Sequence, residues 1–329
     1  MNATSPSLLG NVINLHYKHL GLRDPKFEKI TSSNQNAVFF VYRNRSKSPI
    51  YVLKRSHPDS SKERLEFSTR VHAKLSAAKN CNVPKVVPTD DGALYADERR
   101  NGCFQCTEFI TGHQPLSQEL TTVNIASSLG NLLSVVHNEL ANATNKLQGD
   151  AHFLNWPKVE AATNFYSLMG IADGILQADL RRFEEVEKNF RSSVTVVHGD
   201  IRPENIVWRK KNNHFVLIDF DNCCIFHRGY ELIRALVYLF SEQDGTILPK
   251  ADCCQAFIRS YFINSSLPKF AVADALIFFM IAQASDLASC GRTIAKLDST
   301  DNFVRKRRQL FMSMRSSYQY WLEAIEERK

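Results

Sequence analysis

The chain has 329 residues, 44% of them apolar and 23% charged, with a formal net charge of +7. That length suggests about two domains or lobes at a typical ~150 residues each. The apolar content is enough for a proper core, and the longest apolar run, Ala275 to Ile281 with Ala282, is far short of the ~20 residues that span a bilayer. Residues 1–110 hold 17 of the 41 Lys and Arg and 10 of the 34 Asp and Glu, so the whole positive excess lies in the first third. A basic face there suits a polyanionic nucleotide arriving under electrostatic steering, and no recognised nucleic-acid motif accompanies it.

The opening segment M-N-A-T-S-P-S-L-L-G-N has neither a basic region nor a sustained apolar run, so a secretion signal is not expected. The eight cysteines include C-x-x-C at Cys103 and Cys106 and vicinal pairs at Cys223/Cys224 and Cys253/Cys254. They lack the second pair or the nearby histidines of a zinc site, and are read as reduced thiols of a cytoplasmic protein. Without a secretion signal, the N-A-T triplets at Asn2 and Asn142 are read as chance matches to a glycosylation pattern.

Leu8, Leu9, Val12, Ile13 and Leu15 fall near helical spacing, which predicts a packing helix over Ser7 to Leu20 with Ser7 as its cap. Two strand-like runs follow, Ala37 to Tyr42 and Ile50 to Leu53, joined by the polar turn R-N-R-S-K-S-P, and together they predict a β-hairpin. Ser32 to Asn36, S-S-N-Q-N, stands in front of it. An acidic, helical stretch, S-S-K-E-R-L-E-F-S-T-R-V-H-A-K-L, precedes the Pro-punctuated turn V-P-K-V-V-P-T-D-D-G and the strand C-F-Q-C-T-E-F-I-T-G. Ile125, Leu129, Leu132, Leu133 and Val136 predict an amphipathic helix from Asn124 to Leu140. Asn155 to Phe190 reads as further helices.

The run Val194 to Asp221 carries the chemistry. It reads V-T-V-V-H-G-D-I-R-P-E-N-I-V-W, a basic turn, then H-F-V-L-I-D-F-D. Two apolar strand-like runs each touch an acidic residue, and an Asn lies five residues after the first Asp. Phosphoryl transfer asks a protein to align an acceptor hydroxyl, hold a metal against phosphates and stabilise developing charge. Asp200 suits the hydroxyl proton, and Asn205 and Asp219 suit a hard cation such as Mg2+, which takes oxygen ligands. Beyond this run the chain is helical again: A-F-I-R-S-Y-F, then A-D-A-L-I-F-F-M-I-A-Q-A-S-D-L-A, then a last segment with the basic run Arg305 to Arg308, read as a solvated face.

The order H-x-D-x-x-x-x-N followed by a strand ending in I-D-F resembles the kinase catalytic loop and metal-binding Asp. With Gly199 where protein kinases place Arg, the chain looks most like the aminoglycoside phosphotransferase and choline kinase superfamily, and more weakly so from about Phe27 to the C-terminus. The resemblance implies an α+β, two-lobed protein-kinase-like fold. A small antiparallel-sheet lobe over residues 1–110 would bind nucleotide, a hinge would lie near 107–112, and a mostly helical lobe over 111–329 would bind the acceptor. It implies ATP and Mg2+ as cofactors and a small-molecule hydroxyl acceptor as partner, with no nucleic acid and no membrane.

Carried over residue by residue, Asp200 orients and deprotonates the acceptor, His198 braces the loop, and Arg202 stabilises charge on the moving phosphate. Asn205 and Asp219 hold Mg2+. Asp221 touches metal or hydrogen-bonds its own turn. Lys54 looks like the V-A-I-K lysine on the nucleotide phosphates, with Glu66 as its partner and Glu63 as the competing candidate one helical turn earlier. Ser33 and Asn34 stand where a glycine-rich loop would contact phosphates. The Glu108 carbonyl and the Ile110 amide would meet adenine, with Thr107 behind them and Gly112 closing the turn. R-G-Y-E-L resembles the R-G-F-D element of choline and ethanolamine kinases, which makes Glu231 a brace beneath the catalytic loop with Tyr230 packed nearby. His137 resembles a packing histidine at the end of a family helix. A protein kinase and a catalytically silent nucleotide-binding protein are the rival readings. The first is opposed by Gly199, by Asp221 and by the short stretch from Asp221 to Glu231, the second by every base and metal position being filled.

Overall fold

The computed structural model describes residues 5–32, 36–56, 61–98, 101–147, 156–242, 248–290 and 302–326. They form two compact units. One contains the described residues of 1–113, 145–152 and 207–223, and the other those of 114–144, 153–206 and 224–329. Where the sequence suggests a single cut near 110, the chain returns to the first unit for a hairpin and the turn that carries Asp219.

The first unit begins with α1 (Pro6–His16). Ser5 caps it, its Oγ accepting the Leu8 N–H at 3.2 Å, and Pro6 occupies the first turn, where a missing N–H costs nothing. The expected cap at Ser7 is therefore two residues late, and the expected extension to Leu20 is instead a separate 3-10 turn, Lys18–Leu20. The sheet contains β1 (Lys26–Ser32), β2 (Asn36–Tyr42), β3 (Tyr51–Ser56), β4 (Val86–Val87), β5 (Ala96–Asp97) and β6 (Cys103–Glu108). Its order is β1-β2-β3-β6-β4 with β5 on β6, and every pair is antiparallel.

Alternation sets the faces of this sheet. Phe39 and Val41 on β2, Leu53 on β3, and Phe104 and Cys106 on β6 share one core with Leu9, Val12, Ile13 and Tyr17 from the first helix segment. Successive strand residues point to opposite faces, so Leu53 in this core puts Lys54 on the other side. The Tyr17 hydroxyl donates to the Phe104 carbonyl at 3.0 Å, which satisfies the one polar tip that this packing buries. Helix α2 (Lys62–Ala77) is capped by Ser61, whose Oγ accepts the Arg64 N–H, and it buries Phe67, Val71 and Leu75.

The second unit is helical, with α3 (Val123–Leu147), α4 (Val159–Leu168), α5 (Asp173–Ser192) and a short strand β7 (Thr195–Val197) before the H-G-D loop. After the hairpin of β8 (Ile206–Arg209) and β9 (His214–Leu217), which belongs to the first unit, β10 (Cys224–Phe226) returns to the second and pairs antiparallel with β7. Helices α6 (Arg228–Phe240), α7 (Ala251–Asn264), α8 (Val272–Cys290), α9 (Asn302–Ser316) and α10 (Tyr318–Ile325) complete it.

Residues Ala275 to Ala282 of α8 are all buried, as expected of a helix apolar all round at the centre of a bundle. The ring of Phe278 lies within 5.7 Å of those of Phe183, Phe190, Phe226 and Trp156, so the aromatic residues make core. Among the described residues no helix is long and apolar enough to cross a membrane. Cys81, Cys103, Cys106, Cys223, Cys224, Cys253 and Cys254 are free thiols. Of the basic run, Arg305 and Lys306 are exposed as expected. Arg307 departs from that reading: its Nη2 donates to Gln283 Oε1 and Asp286 Oδ2, both at 2.9 Å.

Candidate active site

In the first unit the candidate residues gather where β3 meets the turn after β9. Lys54 Nζ lies 2.6 Å from Asp219 Oδ1 and 2.5 Å from Asp221 Oδ2. Burial works against the ammonium, but the charges of Asp221 and Asp219 at contact distance outweigh it and hold the Lys54 pKa above its ordinary value. This corrects the expected pairing with Glu66. The Glu66 carboxylate instead accepts the Tyr95 hydroxyl at 3.0 Å, and Glu63, the competing candidate, accepts from Ser61 Oγ at the helix start. Two aspartates within hydrogen-bond reach occupy the ammonium, while both glutamates are engaged along α2. Asp221, open between metal and turn in the sequence reading, here binds Lys54.

Asp219 adopts φ 66° and ψ 76°, a left-handed conformation that costs a residue with a side chain roughly 1–2 kcal/mol. Strain of this kind persists only where surrounding contacts hold it, and α2 supplies them. Phe220 is buried and stacks on His72 with centroids 4.4 Å apart. Arg64 donates through Nε to the Asp221 carbonyl at 3.3 Å and through Nη2 to Asn222 Oδ1 at 2.8 Å. The turn is thereby fixed from three consecutive residues.

The expected hinge begins at the end of β6. The Glu108 N–H donates to the Lys85 carbonyl and the Phe109 N–H to the Ile50 carbonyl, which anchors the strand end from which Ile110 continues. Gly112 is required by close approach: a Cβ there would lie 2.5 Å from Val207 Cγ1 and 2.9 Å from the Trp208 carbonyl oxygen. Ser33 and Asn34 lie outside the described residues.

In the second unit the H-G-D loop leaves β7 and is held from below. Glu231, in the first turn of α6, is fully buried. Its carboxylate accepts the His198 N–H at 3.0 Å, the Gly199 N–H, and His137 Nε2 at 2.7 Å. His137 in turn is hydrogen-bonded through Nδ1 to the Tyr261 hydroxyl at 2.8 Å. Burial alone would raise the Glu231 carboxyl, yet the His137 hydrogen bond and charge, with His198 and the Gly199 amide, bring it below its ordinary value. The brace expected of Glu231 is present, and His137 is the packing residue that completes it. Gly199 has φ +81°, a conformation that L side chains rarely adopt, so the glycine is demanded by the turn itself.

Asp200 emerges from this loop almost buried. Its N–H donates to His198 Nδ1 at 3.2 Å, so His198 braces the loop through its ring as well as its backbone. Asn205 closes the turn: its Nδ2 donates to the Asp200 carbonyl at 2.8 Å and to Asp200 Oδ2 at 3.0 Å. With the amide nitrogen committed there, the amide oxygen of Asn205 is the atom left to face a cation. Arg202 is more open and places Nε 3.2 Å from Asp200 Oδ2. Tyr230 is buried beside the loop helix, its hydroxyl accepting from Gln283 Nε2 at 2.8 Å.

Sequence reasoning missed Arg234. It lies on α6 one turn after Glu231, and its Nη2 donates to Asp200 Oδ1 at 2.6 Å. The signal was the i, i+3 spacing of Glu231 and Arg234, which puts both on one helix face. Both oxygens of Asp200 are thus occupied, Oδ1 by Arg234 and Oδ2 by Asn205 and Arg202.

In its own unit each of Asp219 and Asn205 carries a side-chain oxygen, the hard donor type that Mg2+ takes. Among the described residues no group of three or more His, Cys, Asp or Glu is assembled to hold a metal.

Known proteins bear on the whole arrangement. No curated protein matches the sequence. Solved structures match the fold: a point variant of aminoglycoside 2'-phosphotransferase IIIa bound to GDP is 14% identical, with a TM-score of 0.62 over 95% of this chain and 99% of that one. A microcompartment-associated aminopropanol kinase is 14% identical, with a TM-score of 0.61 over 94% and 97%. An ethanolamine kinase from Plasmodium vivax is 13% identical, with a TM-score of 0.61 over 97% and 91%. These likenesses show the α+β kinase-like fold that the sequence implied. The model of the phosphotransferase enzyme family matches residues 26–261, well over half of the chain, and the protein belongs to that family.

Proposed function

We propose that the protein transfers the γ-phosphate of ATP to a hydroxyl of a small molecule. The observation that carries this reading is the H-G-D loop. A nearly buried carboxylate, Asp200, is fixed by its own Asn205 and held through two backbone amides by the buried Glu231. Such rigidity is what alignment of an acceptor requires, because catalysis of phosphoryl transfer is mainly positioning and charge stabilisation.

In this reading Asp200 orients the acceptor hydroxyl and takes its proton. Lys54 holds phosphates, leaving Asp219 and Asp221 when nucleotide arrives, since phosphate oxygens replace carboxylates as its partners. Asp219 and Asn205 offer oxygens to Mg2+, with Asp221 beside Asp219 on the same turn. Mg2+, when bound, neutralises charge developing on the phosphates. Arg202 is exposed enough to move onto the transferring group. Glu66, tied to Tyr95, serves α2 rather than Lys54 in this arrangement. Ser33 and Asn34 are assigned to phosphate contacts, and the Glu108 carbonyl and Ile110 amide to adenine.

The small-molecule reading is favoured over a protein kinase by the chain after Asp219. It passes through Phe220–Asn222 and Cys224–Phe226 straight into the helix at Arg228, and Gly199 offers no side chain to receive a phosphorylated segment. The test is ATP consumption by unmodified, phosphatase-treated protein across hydroxyl-bearing metabolites and antibiotics, with a generic protein substrate as control. Turnover with a small hydroxyl compound and little transfer to protein is expected. Obligatory autophosphorylation between Asp221 and Glu231, with activity lost on phosphatase treatment, would replace this reading with a protein kinase.

A further inference from the structure

Asp200 is gripped at both oxygens, and the two grips differ in stiffness. Asn205 holds Oδ2 at 3.0 Å from within the same turn, whereas Arg234 holds Oδ1 at 2.6 Å from the end of a long side chain on α6. A carboxylate oxygen accepts two hydrogen bonds, so Arg234 stays in place when an acceptor hydroxyl binds, and the plane of the carboxylate follows the aim of the guanidinium. The buried Nε of Arg234 has no hydrogen-bond partner, so that aim comes from its other contacts. One is the Tyr238 ring, whose centroid lies 5.0 Å from the guanidinium carbon. The other is Tyr230, one turn earlier on the same helix face, whose side chain is hydrogen-bonded to Arg234.

Tyr230 stands in apolar surroundings. Its ring packs against those of Phe226 and Phe279, with centroids 5.0 and 5.2 Å away, where a phenylalanine would be buried equally well. Gln283 directly follows the buried apolar run Ala275 to Ala282 of α8 and is itself 3% exposed. A hydroxyl and an amide in such a place are costly unless bonded, and these two are bonded in a fixed order. Arg307 Nη2 lies 2.9 Å from Gln283 Oε1 and 2.9 Å from Asp286 Oδ2. A guanidinium only donates, so the amide oxygen of Gln283 faces Arg307, and its Nε2 donates to the Tyr230 hydroxyl at 2.8 Å. The hydroxyl is thereby the shared acceptor of Gln283 and Arg234. A satisfied polar network in a low-dielectric interior is rigid.

We propose that Tyr230 and Gln283 are positioning residues for the transfer: with Arg307 fixing the amide, they aim the Arg234 guanidinium and, through it, the Asp200 carboxylate at the acceptor hydroxyl. This rests on the phosphotransfer reading. All of these residues lie in the second unit, so the network is complete within it.

The experiment is a double-mutant cycle on the single-turnover rate of transfer from Mg-ATP to each hydroxyl-bearing metabolite or antibiotic that the wild-type protein phosphorylates. Tyr230→Phe should slow transfer by ~10-fold, about the factor for one charge-assisted hydrogen bond, and leave KM for ATP within about twofold. Arg234→Lys, which keeps the charge but loses the fork, should slow it by ~10²-fold, the scale of a misaligned reacting group. Tyr230→Phe added to Arg234→Lys should cost less than a further ~twofold, because the hydroxyl acts through the guanidinium. Gln283→Leu should reproduce the Tyr230→Phe result, and Arg307→Lys, which still presents a cationic donor to the amide, should transfer faster than Arg307→Met. A merely structural role would lower the urea midpoint without this coupling to Arg234. Wild-type transfer rates in Tyr230→Phe and Gln283→Leu, or losses that multiply with that of Arg234→Lys, overturn the positioning assignment and leave phosphotransfer standing. A wild-type protein that phosphorylates none of the acceptors overturns both.

Discussion

Replacing Glu231 with Gln removes one charge and almost no volume from a fully buried site. The wild-type carboxylate accepts two backbone amides of the H-G-D loop and His137. The glutamine oxygen can serve one side of that arrangement, while its NH2 faces a donor on the other, so one or two charge-assisted bonds are lost and a buried donor is left unsatisfied. At about 1.5–3 kcal/mol per charged hydrogen bond, the loss is roughly 1.5–6 kcal/mol, a range that includes the ~3–5 kcal/mol expected for breaking a buried charged pair. That is a large share of a typical ~5–15 kcal/mol stability.

Urea titration should show a lower midpoint at unchanged slope, and turnover should fall because the loop that aims Asp200 has lost its support. The pH dependence has a definite sign. The Glu231 pKa is lowered on folding, so its contribution is present in full above the unfolded carboxyl value of ~4.3 and is lost as pH falls through the lower folded value. The Gln variant should lack that part of the acid limb. A Glu231→Gln protein within about 1 kcal/mol of wild type, with unchanged turnover, would refute the account of the brace.

Asp200→Asn should cut transfer by ~10²- to 10⁴-fold, the usual scale of general-base catalysis, with nucleotide affinity little changed; wild-type-like turnover would remove Asp200 from the mechanism. Asp219→Ala should abolish activity and weaken Mg-ATP much more than metal-free nucleotide in titration calorimetry. Equal loss of both affinities would point to collapse of the Asp219 turn instead.

The H-G-D loop was legible in the sequence because its parts lie within eight residues of one another. His198, Asp200 and Asn205 contact each other through a local turn, and Gly199 supplies the backbone conformation that the turn needs. Glu231 was legible through its place at the start of α6. Partners that tertiary packing selects were not. Glu63, Glu66, Asp219 and Asp221 are all carboxylates, and only the strained turn at Asp219 and the engagement of Glu66 by Tyr95 decide which of them Lys54 meets. Arg234 stayed hidden because a single arginine in an amphipathic helix carries no linear signal beyond its spacing from Glu231. The strand Lys26–Ser32 escaped notice as well, since its charged and polar residues mask the alternation that its pairing with Asn36–Tyr42 reveals.

The central claim is that a phosphate moves from nucleotide to a small hydroxyl acceptor under the control of the Asp200 loop. Phosphorus NMR of the wild-type protein with Mg-ATP and the acceptor panel tests it most directly, with Asp200→Asn alongside. The account predicts a phosphate ester appearing in step with ADP for wild type and not for the variant. Release of free inorganic phosphate alone, label on the protein itself, or an ester formed equally by Asp200→Asn would contradict it.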